Sequence, residues 1–95
     1  MSDNENFQDE AYLETENKLK RVIIAHLNLD KTPDELDPLE ENFLDAFGFD
    51  SYDALKLLII VEKEFALEID DDDLDASLFR TIRSLAAYVY RLQAG

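Results

Sequence analysis

The chain contains no cysteine. That excludes a disulfide framework, a thiolate metal site and a cysteine nucleophile, so any thiol chemistry must come from an added group. Long apolar runs are missing too. The longest aliphatic run is Leu57–Val61, far short of a membrane span. Basic side chains are scarce, 9 against 23 acidic ones, which gives a formal net charge of -14. A nucleic-acid binder needs a basic footprint that releases counterions from phosphates, and this chain would be repelled. Anionic membrane surfaces are disfavoured for the same reason. Partners with basic patches, cations, or simple solubility remain as readings of the acidity.

Glycine is nearly absent. None lies between Phe49 and Ala94, so Asp70–Asp73 with Asp75 lacks the central glycine and closing glutamate of an EF-hand. Weak divalent binding stays open there beside a plain solvated loop. His26 is the only histidine, without the second histidine or cysteine that a triad or zinc site requires. It is expected to be a partly buried helix residue. The start, Met1–Glu5, has no basic region followed by an apolar core and is not a signal peptide. A soluble, cytoplasmic, free-standing monomer is expected.

What is present is helical periodicity in a chain of 95 residues, enough for one domain. Residues 1–10 read as an acidic tail with Phe7 its one large apolar side chain, and residues 11–93 as the folded domain. From Ala11, Leu19, Val22, Ile23, Ala25 and Leu27 recur near a 3.6 period and predict a helix ending near Asn28. Residues 29–50 form a long connection broken by Pro33 and Pro38. Leu36, Leu39, Phe43, Leu44, Phe47 and Phe49 are expected to lay it across the helices. Gly48 sits where a positive φ is cheap. A second helix is predicted from Ser51 to Ala66, with Leu55, Leu58, Ile59 and Phe65 on its apolar stripe and Leu57, Ile60 and Val61 widening it. A short turn follows near Leu74–Leu78. The last helix runs from Thr81, as N-cap, to Leu92 on a stripe of Ile82, Leu85, Ala86, Val89 and Leu92. Of Tyr88 and Tyr90, one should pack and the other stay wet. No strand alternation or internal repeat occurs. These features predict an all-α bundle of three main helices and one short one, with a long first loop.

The informative stretch is Phe47-Gly48-Phe49-Asp50-Ser51-Tyr52-Asp53-Ala54-Leu55. A serine stands at the mouth of an apolar helix after a glycine and an acid. The first turn of a helix leaves N–H groups unpaired and carries a partial positive charge, so a phosphate ester on Ser51 would be stabilised there. A plain N-cap serine is the bland alternative.

With its flanks, this block resembles the attachment region of acyl carrier proteins: an aromatic, a bulky apolar residue, glycine, a variable position, then Asp-Ser-Leu. Val61-Glu62-Lys63-Glu64-Phe65 and Leu67-Glu68-Ile69 resemble the end of that family's second helix and the segment after it. Phe79-Arg80-Thr81-Ile82-Arg83-Ser84-Leu85-Ala86-Ala87-Tyr88-Val89 resembles its last turn and final helix. The likeness runs from Ala11 to Leu92. It implies a four-helix bundle with a short third helix. It also implies covalent 4′-phosphopantetheine on Ser51, added from coenzyme A by a phosphopantetheinyl transferase with a magnesium ion. The arm's thiol would hold an acyl group as a thioester, presented to acyl-loading and acyl-processing enzymes of fatty-acid, polyketide or related biosynthesis. The chain itself would do no chemistry. An aminoacyl or peptidyl carrier, and an unmodified acidic helical interaction module, are the alternatives.

The chain departs from the family at Tyr52, which replaces leucine, and at Lys56 and Lys63, on a helix that fatty-acid carriers keep acidic. Asp50, Tyr52, Leu55, Lys56, Ile59, Glu62 and Lys63 are accordingly the residues expected to meet partners. They suggest a carrier dedicated to one pathway. Leu55, Ile59, Phe43 and Phe47 are expected either to line a slot for the cargo or only to close the core.

Overall fold

In the computed structural model, described over residues 10–70, 72 and 76–94, every regular element is a helix. α1 spans Glu10–Leu27, α2 Phe43–Ala46, α3 Ser51–Phe65 and α4 Ile82–Ala94, with single 3-10 turns at Pro33–Glu35 and Ala76–Phe79. The all-α bundle of three main helices predicted from the sequence is observed, but the short helix is α2 in the first connection, and the turn expected near Leu74–Leu78 is a 3-10 turn at Ala76–Phe79. Of the expected tail, residues 1–9 lie outside the described residues, and Glu10 opens α1 instead. Leu74 and Asp71, Asp73 and Asp75 also lie outside them.

Helix ends are set by chemistry that the local sequence supplies. α1 stops at Asn28, whose φ of 56° is left-handed, and the Leu29 N–H reaches back to the Ile24 carbonyl at 2.9 Å. α3 stops the same way, at Ala66 with φ 54° and with Leu67 N–H donating to Glu62 O at 3.0 Å. Lys18 of α1 adds to this end: its Nζ donates to Glu64 O at 2.8 Å and lies 4.8 Å from the Phe65 ring. Thr81 caps α4 as expected, its Oγ1 accepting the Ser84 N–H at 2.9 Å.

The core is built from one face of each helix. Tyr12, Leu19 and Ile23 of α1, Leu57 and Val61 of α3, Leu85 and Val89 of α4, and Phe43 of α2 are wholly buried. Ala25, expected on the α1 stripe, is exposed, and Leu92 is half-buried. Tyr88 is buried, while Tyr90 is half-buried with its ring edge-on to Tyr12 at 5.7 Å. His26 is half-buried near the end of α1, as expected.

The phase of α3 differs from expectation. Ala54, Leu57, Leu58, Val61 and Phe65 face inward, whereas Leu55 and Ile59, placed on the apolar stripe by spacing, are more than half exposed. Leu57–Val61 is apolar all round the helix, so it carries no phase information. The core selects the face on which small Ala54 admits close packing.

The long first connection is ordered. Leu36, Phe43 and Leu44 are buried, Phe47 and Phe49 half-buried, and only Leu39 points outward. Two backbone bonds tie it to the entry of α4: Asn42 N–H to Arg80 O at 2.7 Å and Arg83 N–H to Pro38 O at 2.9 Å. An exposed pair, Arg80 Nε to Glu41 Oε1 at 2.9 Å, reinforces them and raises the Arg80 pKa.

Candidate functional site

The turn between α2 and α3 aims Ser51. α2 ends on Gly48, at φ 83°, with Phe49 N–H donating to Leu44 O at 2.9 Å and Gly48 N–H to Asp45 O at 3.0 Å. No atom crowds the place a Cβ would take at Gly48, so the backbone angle and not the space demands glycine. Two residues on, Asp50 is extended, at φ -108° and ψ -172°, and α3 begins.

Asp50, not Ser51, is the N-cap. Its Oδ1 accepts the Asp53 N–H at 3.1 Å, and Asp53 Oδ2 accepts the Asp50 N–H at 3.2 Å, a reciprocal capping box. The backbone N–H of Asp53 holds the Asp50 carboxyl below its ordinary pKa. The Asp50 carboxylate thus stands as an anion at the mouth of α3, where it takes the Asp53 N–H. Ser51 becomes the first helical residue. Its side chain is exposed, and no hydrogen bond among the described residues engages its hydroxyl. The box frees Ser51 from capping while fixing its backbone. An ester group on Ser51 Oγ would project into solvent without displacing a neighbour, so the residues present fit a covalent arm there.

Beside Ser51 opens a cavity of about 270 Å³, lined by Asn42, Leu44, Asp45, Phe49, Asp50, Ser51, Ala54 and Phe79. Leu55, Ile59, Phe43 and Phe47, expected either to line a slot or to close the core, do not act together: Leu55 and Ile59 do neither. Phe43 is wholly buried and edge-on to Phe47 at 6.3 Å, and Leu55 and Ile59 lie on the opposite side of α3. Sequence reasoning missed Leu44, Phe49, Ala54 and Phe79 as neighbours of the serine. Phe49 and Ala54 flank Ser51 closely enough in the chain to have been found. Phe79 is brought in by tertiary structure and leaves no local signal.

The residues expected to meet partners separate into two groups. Tyr52 is 64% exposed, Leu55 53% and Ile59 57%, and Lys56 and Lys63 are exposed with them. Lys56 Nζ lies 4.8 Å from the Tyr52 ring centroid. Asp50 and Glu62 are instead engaged internally: Asp50 in the cap, Glu62 half-buried and accepting the Ile69 N–H at 2.8 Å.

Comparison with known proteins matches a model of the phosphopantetheine attachment site to residues 17–89. The acyl carrier protein of Bdellovibrio bacteriovorus is 38% identical over 72 residues, 76% of this chain and 86% of the relative. That of Zymomonas mobilis is 32% identical over 78 residues, 80% of this chain and 91% of the relative. An acyl carrier protein of Nitratidesulfovibrio vulgaris is 32% identical over 81 residues, covering 85% of this chain and 100% of the relative. No solved structure matches significantly. With a helical bundle, a phosphopantetheine attachment region and relatives covered over most of their length, the chain belongs to the acyl carrier protein family.

Proposed function

We propose that Ser51 is the residue that bears 4′-phosphopantetheine, and that the chain presents an acyl thioester to separate loading and processing enzymes without catalysing a step itself. The observation that carries this reading is the exposed Ser51 hydroxyl, on a backbone fixed by the Gly48 turn and the Asp50–Asp53 box. In the loading reaction, Ser51 Oγ forms an ester bond to phosphorus as the pyrophosphate bond of coenzyme A breaks. Adenosine bisphosphate leaves and the hydroxyl proton passes to the transferase. The thiol supplied by the arm answers the absence of cysteine in the chain.

The carrier domain is residues 11–93, working as a soluble cytoplasmic monomer. The net charge of -14 supports this reading. None of the helices described is long and apolar enough to cross a membrane. The test is intact mass after incubation with coenzyme A, magnesium and a broad-specificity phosphopantetheinyl transferase. Wild type gains one phosphopantetheine and Ser51→Ala gains none. An unmodified wild type, or a modified Ser51→Ala, would refute the assignment.

A further inference from the structure

The outward face of α3 has the opposite character to the rest of the molecule. Three of the five exposed large hydrophobic side chains among the described residues, Tyr52, Leu55 and Ile59, lie on it. At about 100° per residue, the sector from Ile60 round to Leu55 covers about 140° of the helix. Within it stand Lys56, Lys63, Tyr52 and Ile59, and no acid. The three acids of α3 that follow Ser51 sit at its margins: Asp53 and Glu64 beyond Ile60, Glu62 beyond Leu55. Asp53 is held in the capping box and Glu62 by Ile69, so two of the three are turned to internal work.

The band continues past Ile60. That side chain forms, with Lys18, Arg21 and His26 of α1, part of the wall of a groove of about 430 Å³, to which Glu64 adds one acid. A chain of net charge -14 thus gathers cations and exposed apolar groups along the helix that Ser51 opens.

We infer that this surface docks a protein partner whose own face is apolar and rimmed by carboxylates, and that Lys56 and Lys63 select for it. The inference rests on the reading of Ser51 as the carrier residue, since that is what a partner here would need to reach. Exposed aromatic and aliphatic groups supply the contact area, and the two lysines set the sign of the charge that is accepted. An extended polyanion such as a nucleic acid or a lipid surface does not fit. It would overrun the band and meet the acids around it, whereas a small acid-rimmed patch stays within it. At physiological salt those surrounding charges are screened over about 8 Å, so the local sector decides the encounter.

The probe is an amphipathic helical peptide of leucine and glutamate, titrated into the ¹⁵N-labelled unmodified chain alongside a leucine–lysine counterpart. The acidic peptide is expected to shift the amides of Tyr52, Leu55, Lys56, Ile59 and Lys63. Lys56→Glu with Lys63→Glu should weaken it at least tenfold, with a larger ratio at low salt, and the neutral pair Lys56→Gln with Lys63→Gln should fall between. Both lysines are exposed, so the variants are expected to fold, and their amide spectra verify this. The basic peptide should instead perturb the acidic loop around Asp34, Asp37 and Glu40. Shifts from the acidic peptide centred elsewhere, or equal affinity for wild type and the glutamate variant, would overturn the inference. The titration needs no modified protein, so its failure is separate from a failure of the mass test on Ser51.

Discussion

Where α1 meets α4, charged side chains are buried; on the outward face of α3, apolar ones are exposed. In the first region Glu16 is 5% exposed and Lys20 9%. Glu16 Oε1 accepts the Tyr12 hydroxyl at 2.6 Å and faces Arg83 Nε of α4 at 3.4 Å, and Lys20 Nζ lies 3.7 Å from Oε2. Thr15 bridges to Gln93 at 2.9 Å. Among the described residues no buried side-chain nitrogen or oxygen is left without a partner. The fold supplies every partner of these polar groups. On α3 it sets only Lys56 against the Tyr52 ring and leaves Leu55 and Ile59 more than half exposed. The first region is satisfied within the chain, whereas the second leaves apolar surface exposed, as the proposed docking requires.

Removing the centre of the buried cluster should break the comparison most severely. Glu16→Ala removes the buried carboxylate that Tyr12, Lys20 and Arg83 share and is expected to lower unfolding free energy by about 3–5 kcal/mol. Urea denaturation reads this, and Glu16→Gln, which keeps an acceptor for Tyr12, should lose less.

Alkali attacks the same cluster. Burial, and then the Glu16 hydrogen bond, hold the Tyr12 hydroxyl well above its ordinary pKa. The folded pKa exceeds the unfolded one, so the stabilisation is complete below the unfolded value of about 10 and drains away as pH rises beyond it. Unfolding free energy should therefore decline steadily from about pH 10 upward, until the folded hydroxyl itself ionises. Tyr12→Phe should start less stable but show a shallower decline.

A smaller effect comes from charge. The acids Glu40, Glu41 and Asp45 crowd the first connection, and the whole chain repels itself at -14. The melting temperature should rise with sodium chloride, and further with magnesium at matched ionic strength. A melting temperature indifferent to both salts would show that repulsion does not limit stability.

The smallest effect is expected on the exposed face. Leu55→Ser with Ile59→Ser should change stability by no more than about 0.5 kcal/mol per residue. A large loss there would mean that this face is structural, and the contrast between the two regions would collapse.

What was legible in the sequence follows the range of the interactions. Gly48, Ser51 and the Thr81 cap are local, and they stand where the residues themselves placed them. Asp50 was read as context for the serine, although Asp50-x-x-Asp53 has the spacing of a capping box with aspartate in place of the usual glutamate. α2 was hidden because four residues show too little periodicity to separate a helix from a loop that packs. The inward face of α3 was misassigned because an uninterrupted apolar run has no preferred side until the core chooses one. The Glu16 cluster and the approach of Phe79 to Ser51 depend on residues far apart in the chain, and no local pattern announces them.

Everything proposed for this chain depends on one exposed serine, fixed by the turn before α3, bearing the arm. Peptide-level mass spectrometry of the protein treated with coenzyme A and transferase tests it most directly. A single phosphopantetheine is expected, on the peptide containing Ser51, while Ser2, Ser77 and Ser84 remain bare. The modification found on any of those three, with Ser51 untouched, would contradict it.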